Sequence, residues 1–188
     1  MRNKGRLVVI SGPSGVGKGT VIRRLLGECE NLRLSVSATT RAPRNEDTEG
    51  VTYFFKTVDE FRAMIDGSEF LEWAVYNGNY YGTPCAAVEE NLESGLNVIL
   101  EIDVQGALEV MKKRPDAVYI FIAPPNRETL MKRLVGRGTE TEEQIKKRCD
   151  AAAAELEQRD KYDYVVINDV LDDAVGEIKS IIEGKNVK

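Results

Sequence analysis

The run Gly12-Pro13-Ser14-Gly15-Val16-Gly17-Lys18-Gly19-Thr20 has the residue types and spacing of a phosphate cradle. Glycines let the backbone close around phosphate oxygens, where a side chain would collide with them. The free N–H groups and the positive end of a following helix then face the anion. Lys18 adds a point charge for the outer phosphates. The position after the lysine is commonly Ser or Thr, with its hydroxyl on Mg2+; here it is Gly19, and Thr20 comes one place later. Such a loop is expected to hold Mg2+ mainly through phosphate oxygens and water, with Thr20 as the nearest hydroxyl.

Four further clusters carry chemistry. Arg41 and Arg44 flank Ala42-Pro43 as a stiff fork suited to bidentate phosphate contacts, with the hydroxyls of Tyr53, Tyr80 and Tyr81 downstream. By itself the fork also reads as a solvated loop. Glu72 lies in the apolar and aromatic run Phe70-Leu71-Glu72-Trp73-Ala74. Its carboxylate reads either as solvent-facing or as an acceptor for the adjacent N1 and N2 donors of guanine, with Thr83 offering a hydroxyl to a base oxygen. Glu101 and Asp103 are two apart at the end of a buried run, which predicts one side of a strand and a place beside Mg2+ or its waters. Arg133, Arg137 and Arg148 surround the glycine-flanked connector Gly136-Arg137-Gly138-Thr139. They suit either a lid over a transferring phosphoryl group or surface pairs with Glu140, Glu142 and Glu143.

Alternating elements must position these groups. Leu7–Ile10, Val98–Ile102, Val118–Ile122 and Val165–Ile167 are apolar throughout, as strands covered on both faces should be. Helical patterns at 21–26, 84–93, 104–113, 127–135, 142–159 and 171–182 separate them, so the core sheet should be parallel. Leu32 to Val36 reads as a short strand, Val51 to Phe55 as extended, and Val58 to Ile65 as a helix with Asp59 and Glu60 in its first turn. Phe70–Tyr76 and Asn79–Tyr81 read as a hairpin about Asn77-Gly78. The mixed strands between Val51 and Tyr81 suggest a small antiparallel insertion on an α/β core.

The chain has 188 residues, a net charge of −5 and no histidine. The length suits one compact α/β unit. The missing histidine removes Ser-His and Cys-His nucleophilic catalysis and His-ligated metals, and leaves open chemistry that runs on positioning and positive charge. No basic tail or basic-aromatic stripe predicts nucleic-acid binding. Cys29, Cys85 and Cys149 form no C-x-x-C pair, and an odd count argues against a disulfide framework. The short polar N-terminus and the lack of a long apolar run predict a soluble, cytoplasmic chain with no membrane partner.

In order along the chain, GPSGVGKG, SVSATTRAPR, GVTYFF, FLEWAVYNGNYYGT, VILEIDVQGA, IFIAPP, RLVGRGTETEEQIKKR and VVIND resemble the guanylate kinase family of nucleoside-monophosphate kinases. The resemblance implies ATP-dependent phosphorylation of GMP, with dGMP a second acceptor and Mg2+ required. It implies a core from 1–34, 84–125 and 160–188, a GMP-binding insertion over 35–83, and a lid with its adjoining helix over 126–159. Gly12 to Thr20 with Lys18, Arg133, Arg137 and Asn168 are implied for ATP. Ser37, Arg41, Arg44, Tyr53, Glu72, Tyr81, Thr83, Glu101 and Asp103 are implied for GMP. Lys18, Arg44, Arg137, Arg148 and Asp103 are implied at the transferring group. No residue is implied as a firm direct metal ligand.

Three other readings have less support. A kinase for AMP or a pyrimidine monophosphate fits poorly with Ser37, Glu72 and Thr83. A non-enzymatic domain of the same shape would typically lack the competent Gly17-Lys18 loop. A GTPase switch would carry an N-K-x-D run, which this sequence lacks.

Overall fold

The computed structural model describes residues 4–135 and 142–184. The first strand, β1 (Leu7–Ser11), is buried along its whole length, and the loop after it opens α1 (Lys18–Glu28). Next come β2 (Leu32–Leu34), β3 (Ala38–Thr39), β4 (Phe54–Phe55), α2 (Val58–Asp66), β5 (Phe70–Tyr76), β6 (Asn79–Pro84) and α3 (Cys85–Glu93). The remainder is β7 (Asn97–Glu101), α4 (Val104–Lys113), β8 (Val118–Ala123), α5 (Arg127–Val135), α6 (Glu142–Leu156), a 3-10 turn (Arg159–Lys161), β9 (Tyr164–Ile167) and α7 (Leu171–Ile182).

Five strands form the core sheet in the order β2-β7-β1-β8-β9, and every pairing is parallel. The alternating faces of β1 separate two apolar clusters. Val8 and Ile10 join Val21, Ile22 and Leu25 of α1 and Ile178 of α7 on one side. On the other, Leu7 and Val9 join Val88 and Leu92 of α3 and Val104 and Val110 of α4. A parallel sheet needs both faces covered, and these two helical layers supply the cover. The α/β class expected from the sequence is therefore observed.

A second sheet of four strands has the order β4-β3-β6-β5. It is mixed, since β3 runs parallel to β4 but antiparallel to β6. Phe61 of α2 stacks on Phe70 of β5 with ring centroids 4.4 Å apart, and these two residues are buried with Ala38 as the centre of this layer. Thr57 and Glu60 form a reciprocal capping box at the start of α2, satisfying N–H groups that the helix leaves unpaired. Lys113 at the end of α4 donates to the Phe70 carbonyl at 2.9 Å, which ties the second sheet to the core.

Several sequence expectations are corrected. The strand from Leu32 stops at Leu34, and the chain re-forms β3 in the other sheet, so one apolar run serves two layers. Val51 and Thr52 belong to a turn in which both N–H groups reach the Thr48 carbonyl, and only Phe54–Phe55 is extended. The helix expected to reach Arg159 ends at Leu156 and is followed by the 3-10 turn. β9 is an edge strand, so Val165 and Ile167 are 39% and 47% exposed and not covered on both faces. β7 ends at Glu101; Asp103 caps α4 and is not a strand residue sharing one side with Glu101.

Candidate functional site

The loop between β1 and α1 is shaped by backbone that only glycine tolerates easily. Gly12 has φ of 143°, and a Cβ there would stand 2.2 Å from the backbone oxygen of Ile122 on β8. Gly17, at φ 97°, is the N-cap of α1 and has no side chain to fill the helix terminus. Of the first N–H groups of α1, that of Thr20 donates to the Gly17 carbonyl, and those of Lys18 and Gly19 are left for an anion. Ser14, Gly15, Gly17, Lys18, Gly19 and Thr20 line a cavity of about 320 Å3, shared with Arg23, Glu101 and Arg133.

Lys18 folds back on the loop and donates to the carbonyls of Gly12 at 2.6 Å and Pro13 at 3.3 Å. Burial lowers its pKa from 10.5, while the carboxylates of Glu155, Glu101 and Asp103 act in the opposite sense. Arg148 of α6 donates to Ser14 Oγ at 3.0 Å. Glu155 is on the same helix, and burial raises its pKa against the pull of Lys18. Arg133 of α5 donates to the carbonyls of Val16 and Asn168, at 3.4 and 3.1 Å. Asn168 is buried and gives its amide to the Val16 carbonyl at 2.8 Å. That hydrogen bond ties it to the loop. The expected Arg137 lies outside the described residues.

A second cavity, of about 260 Å3, lies where β5 and β6 face the end of β7. It is lined by Ser37, Glu72, Tyr81, Glu101 and Asp103, among others. Glu72 Oε1 accepts from the buried Thr83 hydroxyl at 2.6 Å. Its other oxygen stands near Asp103: a Cβ on Gly106 would lie 3.3 Å from Glu72 Oε2 and 3.4 Å from Asp103 Oδ1. Asp103 is itself fixed as the cap of α4, accepting from Gly106 N–H at 2.7 Å. Burial raises the Glu72 pKa, the Thr83 hydrogen bond opposes it, and the Asp103 charge reinforces it.

The arginine fork is organised by a residue the sequence reading did not single out. Asp47 accepts from Arg41 Nη2 at 2.9 Å and from the Arg44 backbone at 2.7 Å. The Arg44 backbone contact is the main cause that holds the Asp47 carboxyl below its ordinary value. The Arg41 guanidinium lies 5.2 Å from the Tyr53 ring, and Tyr53 meets Tyr81 edge-on at 6.0 Å. Arg41, Tyr53 and Tyr81 therefore form one group, with Arg44 exposed beside it. Asp47, Glu155 and Arg23 had no motif of their own in the sequence. Their roles come from the ion pair to Arg41, the charge of Lys18 and the loop cavity.

Glu101 lines both cavities, so one carboxylate separates a loop built for polyphosphate from a pocket built for a hydrogen-bonding base. Gly19 lies beside it: a Cβ there would stand in ordinary contact, 3.5 Å from Glu101 Oε1. A phosphate-binding loop on a parallel α/β core, joined to a second site through a shared acid, defines a P-loop nucleotide kinase. The family model "Guanylate kinase" matches residues 4–185, and the chain belongs to the guanylate kinase family, enzymes that phosphorylate GMP with ATP. It is 54% identical over 187 residues to a guanylate kinase of Halalkalibacterium halodurans, covering 100% of this chain and 92% of the relative. It is 50% identical over 189 residues to a guanylate kinase of Bacillus subtilis, covering 100% and 93%. The crystal structure of guanylate kinase from Anaplasma phagocytophilum superposes with a TM-score of 0.73 at 35% identity, covering 100% of this chain and 89% of that one.

Proposed function

We propose that the loop cavity takes the ATP phosphates, that the Glu72 cavity takes guanine, and that transfer occurs at Glu101 between them. The position of Glu101 on both cavity walls carries this reading. Glu72 accepts from guanine N1 and N2, with the Thr83 hydroxyl fixing the carboxylate, and Ser37 closes the pocket. Arg41, Arg44, Tyr53 and Tyr81 hold the acceptor phosphate. Because none of these contacts requires a ribose 2′-hydroxyl, dGMP is a second acceptor. An oxygen of the GMP phosphate attacks the γ-phosphorus of ATP, the bond from that phosphorus to the β–γ bridging oxygen breaks, and ADP leaves. The attacking oxygen is already ionised, so the chain needs no general base. Lys18 leaves the Gly12 and Pro13 carbonyls to meet the phosphates, while Arg133, Arg148 and the lid residue Arg137 offset charge on the transferring group.

Hard oxygen donors beside the loop suit Mg2+. Glu101, Asp103 and Thr20 are the groups that would flank it. Among the described residues no three acidic or thiol groups cluster as a metal site, so phosphate oxygens and water would complete its shell. Bound there, Mg2+ would supply neutralising charge for the phosphates. No helix among the described residues is long and apolar enough to cross a membrane, and three free thiols fit a reducing cytoplasm. Lys18→Ala tests the assignment of the loop. Its kcat should fall about a hundred- to a thousand-fold, with GMP affinity by calorimetry unchanged. Undiminished turnover would remove Lys18 from the transfer step.

A further inference from the structure

We infer that Tyr76 forms a wall of the acceptor site and packs its ring against the guanine and ribose of bound GMP. Along β5, Glu72, Ala74 and Tyr76 alternate onto one face, and all three line the same cavity. Ala74 is the small residue between two large ones, so it leaves a slot between the Glu72 carboxylate and the Tyr76 ring. Four residue-to-residue steps of strand separate the ends of that slot, roughly 13 Å. Glu72 with Asp103 and Thr83 presents polar groups suited to the edge of a base. A purine also has an apolar face, and a ring beside it gains by stacking. Tyr81, the other aromatic residue on this wall, is engaged edge-on with Tyr53. Tyr76 is 68% exposed and, among the described residues, its side chain has no hydrogen-bond or ring partner, its pairing with Asn79 being through the backbone. It is held in place by the tight turn that follows, where Asn77 and Gly78 both take positive φ. A large, unpartnered ring at a cavity mouth is thus a surface for the nucleoside, and it contributes to acceptor affinity without touching the reacting phosphates.

This inference rests on Glu72 marking the guanine site, so the test includes a variant of each residue. GMP binding is measured by calorimetry and GMP KM by a coupled assay for the wild type, Tyr76→Ala, Tyr76→Phe and Glu72→Gln. Tyr76→Ala should weaken GMP by about tenfold in both measures, the order expected for removing an aromatic ring from beneath a base. Its kcat and ATP KM should change far less, and Tyr76→Phe should match the wild type. If Tyr76→Ala binds GMP normally while Glu72→Gln does not, the wall is refuted and the guanine site stands. Equal losses in Tyr76→Ala and Tyr76→Phe would also refute it, because the hydroxyl and not the ring would matter. If Glu72→Gln binds normally as well, the site reading fails with it. Tyr76 is exposed and outside the core, so melting curves of its variants should overlay the wild type.

Discussion

Glu72→Gln separates base recognition from every other property of the site. The change is nearly isosteric. Its amide oxygen keeps the 2.6 Å bond from Thr83, and the new NH2 takes the place of the oxygen that faces Asp103. The Thr83 contact is therefore kept, and the folded protein is relieved of a charge that burial and Asp103 disfavour. Recognition suffers instead. Guanine presents N–H donors to Glu72, and the variant meets them with one neutral acceptor and one donor. Losing charge-assisted hydrogen bonds, each about 1.5–3 kcal/mol, offset in part by the retained neutral one, gives a net loss of about 3 kcal/mol. That corresponds to roughly 150-fold in kcat/KM for GMP. AMP has no N1–H to place there and should change much less. A coupled ADP-release assay with GMP, IMP and AMP reads the effect as a collapse of the GMP/AMP ratio. IMP, which lacks the 2-amino group, should lie between them in the wild type. Refutation would come from a variant whose GMP and AMP rates both hold steady.

The raised pKa of Glu72 makes a related prediction about pH. Its folded value lies above 4.5, so keeping it ionised near neutrality opposes folding, and that cost is relieved as pH falls through the folded value toward the unfolded one. GMP requires the ionised form, so its KM should rise over the same fall in pH, beginning above the range of an ordinary Glu; initial-rate measurements should find this dependence gone in Glu72→Gln. Lys18 titrates below its ordinary value of 10.5, so kcat should decline with rising pH sooner than an unperturbed lysine would dictate, read from an alkaline kcat profile. Gly12→Ala would force a methyl to 2.2 Å from the Ile122 carbonyl in a backbone region that alanine resists. ATP affinity in a fluorescent-nucleotide titration should fall by at least an order of magnitude, and normal affinity would show that the loop can shift at little cost.

What the sequence disclosed follows a physical division. Continuous apolar runs such as Leu7–Ile10 and Val118–Ile122 identify buried parallel strands because each residue reports its own burial. The Asn77-Gly78 turn was equally legible, since its chemistry is local. Leu32–Thr39 was not, because which sheet takes each half depends on partners far along the chain, Ile99 for Ser35 and Tyr81 for Thr39. The exposure of Val165 and Ile167 escaped for a similar reason: apolar composition does not reveal that β9 is the last strand of its sheet. In the site, motif residues were found where they carry the motif. Asp47 and the Asn168 amide were missed as organisers of Arg41 and Val16, because each acts through a side-chain contact that no spacing announces.

The central claim is that this chain moves a phosphoryl group from the loop cavity to a guanine nucleotide held by Glu72. It is tested most directly by one coupled ADP-release assay of the purified protein, with ATP, Mg2+ and a panel of GMP, dGMP, AMP, UMP and no acceptor. The account predicts rapid turnover with GMP, turnover with dGMP, and rates near the no-acceptor background with AMP and UMP. Equal turnover with AMP or UMP, or ADP release that needs no acceptor, would contradict it.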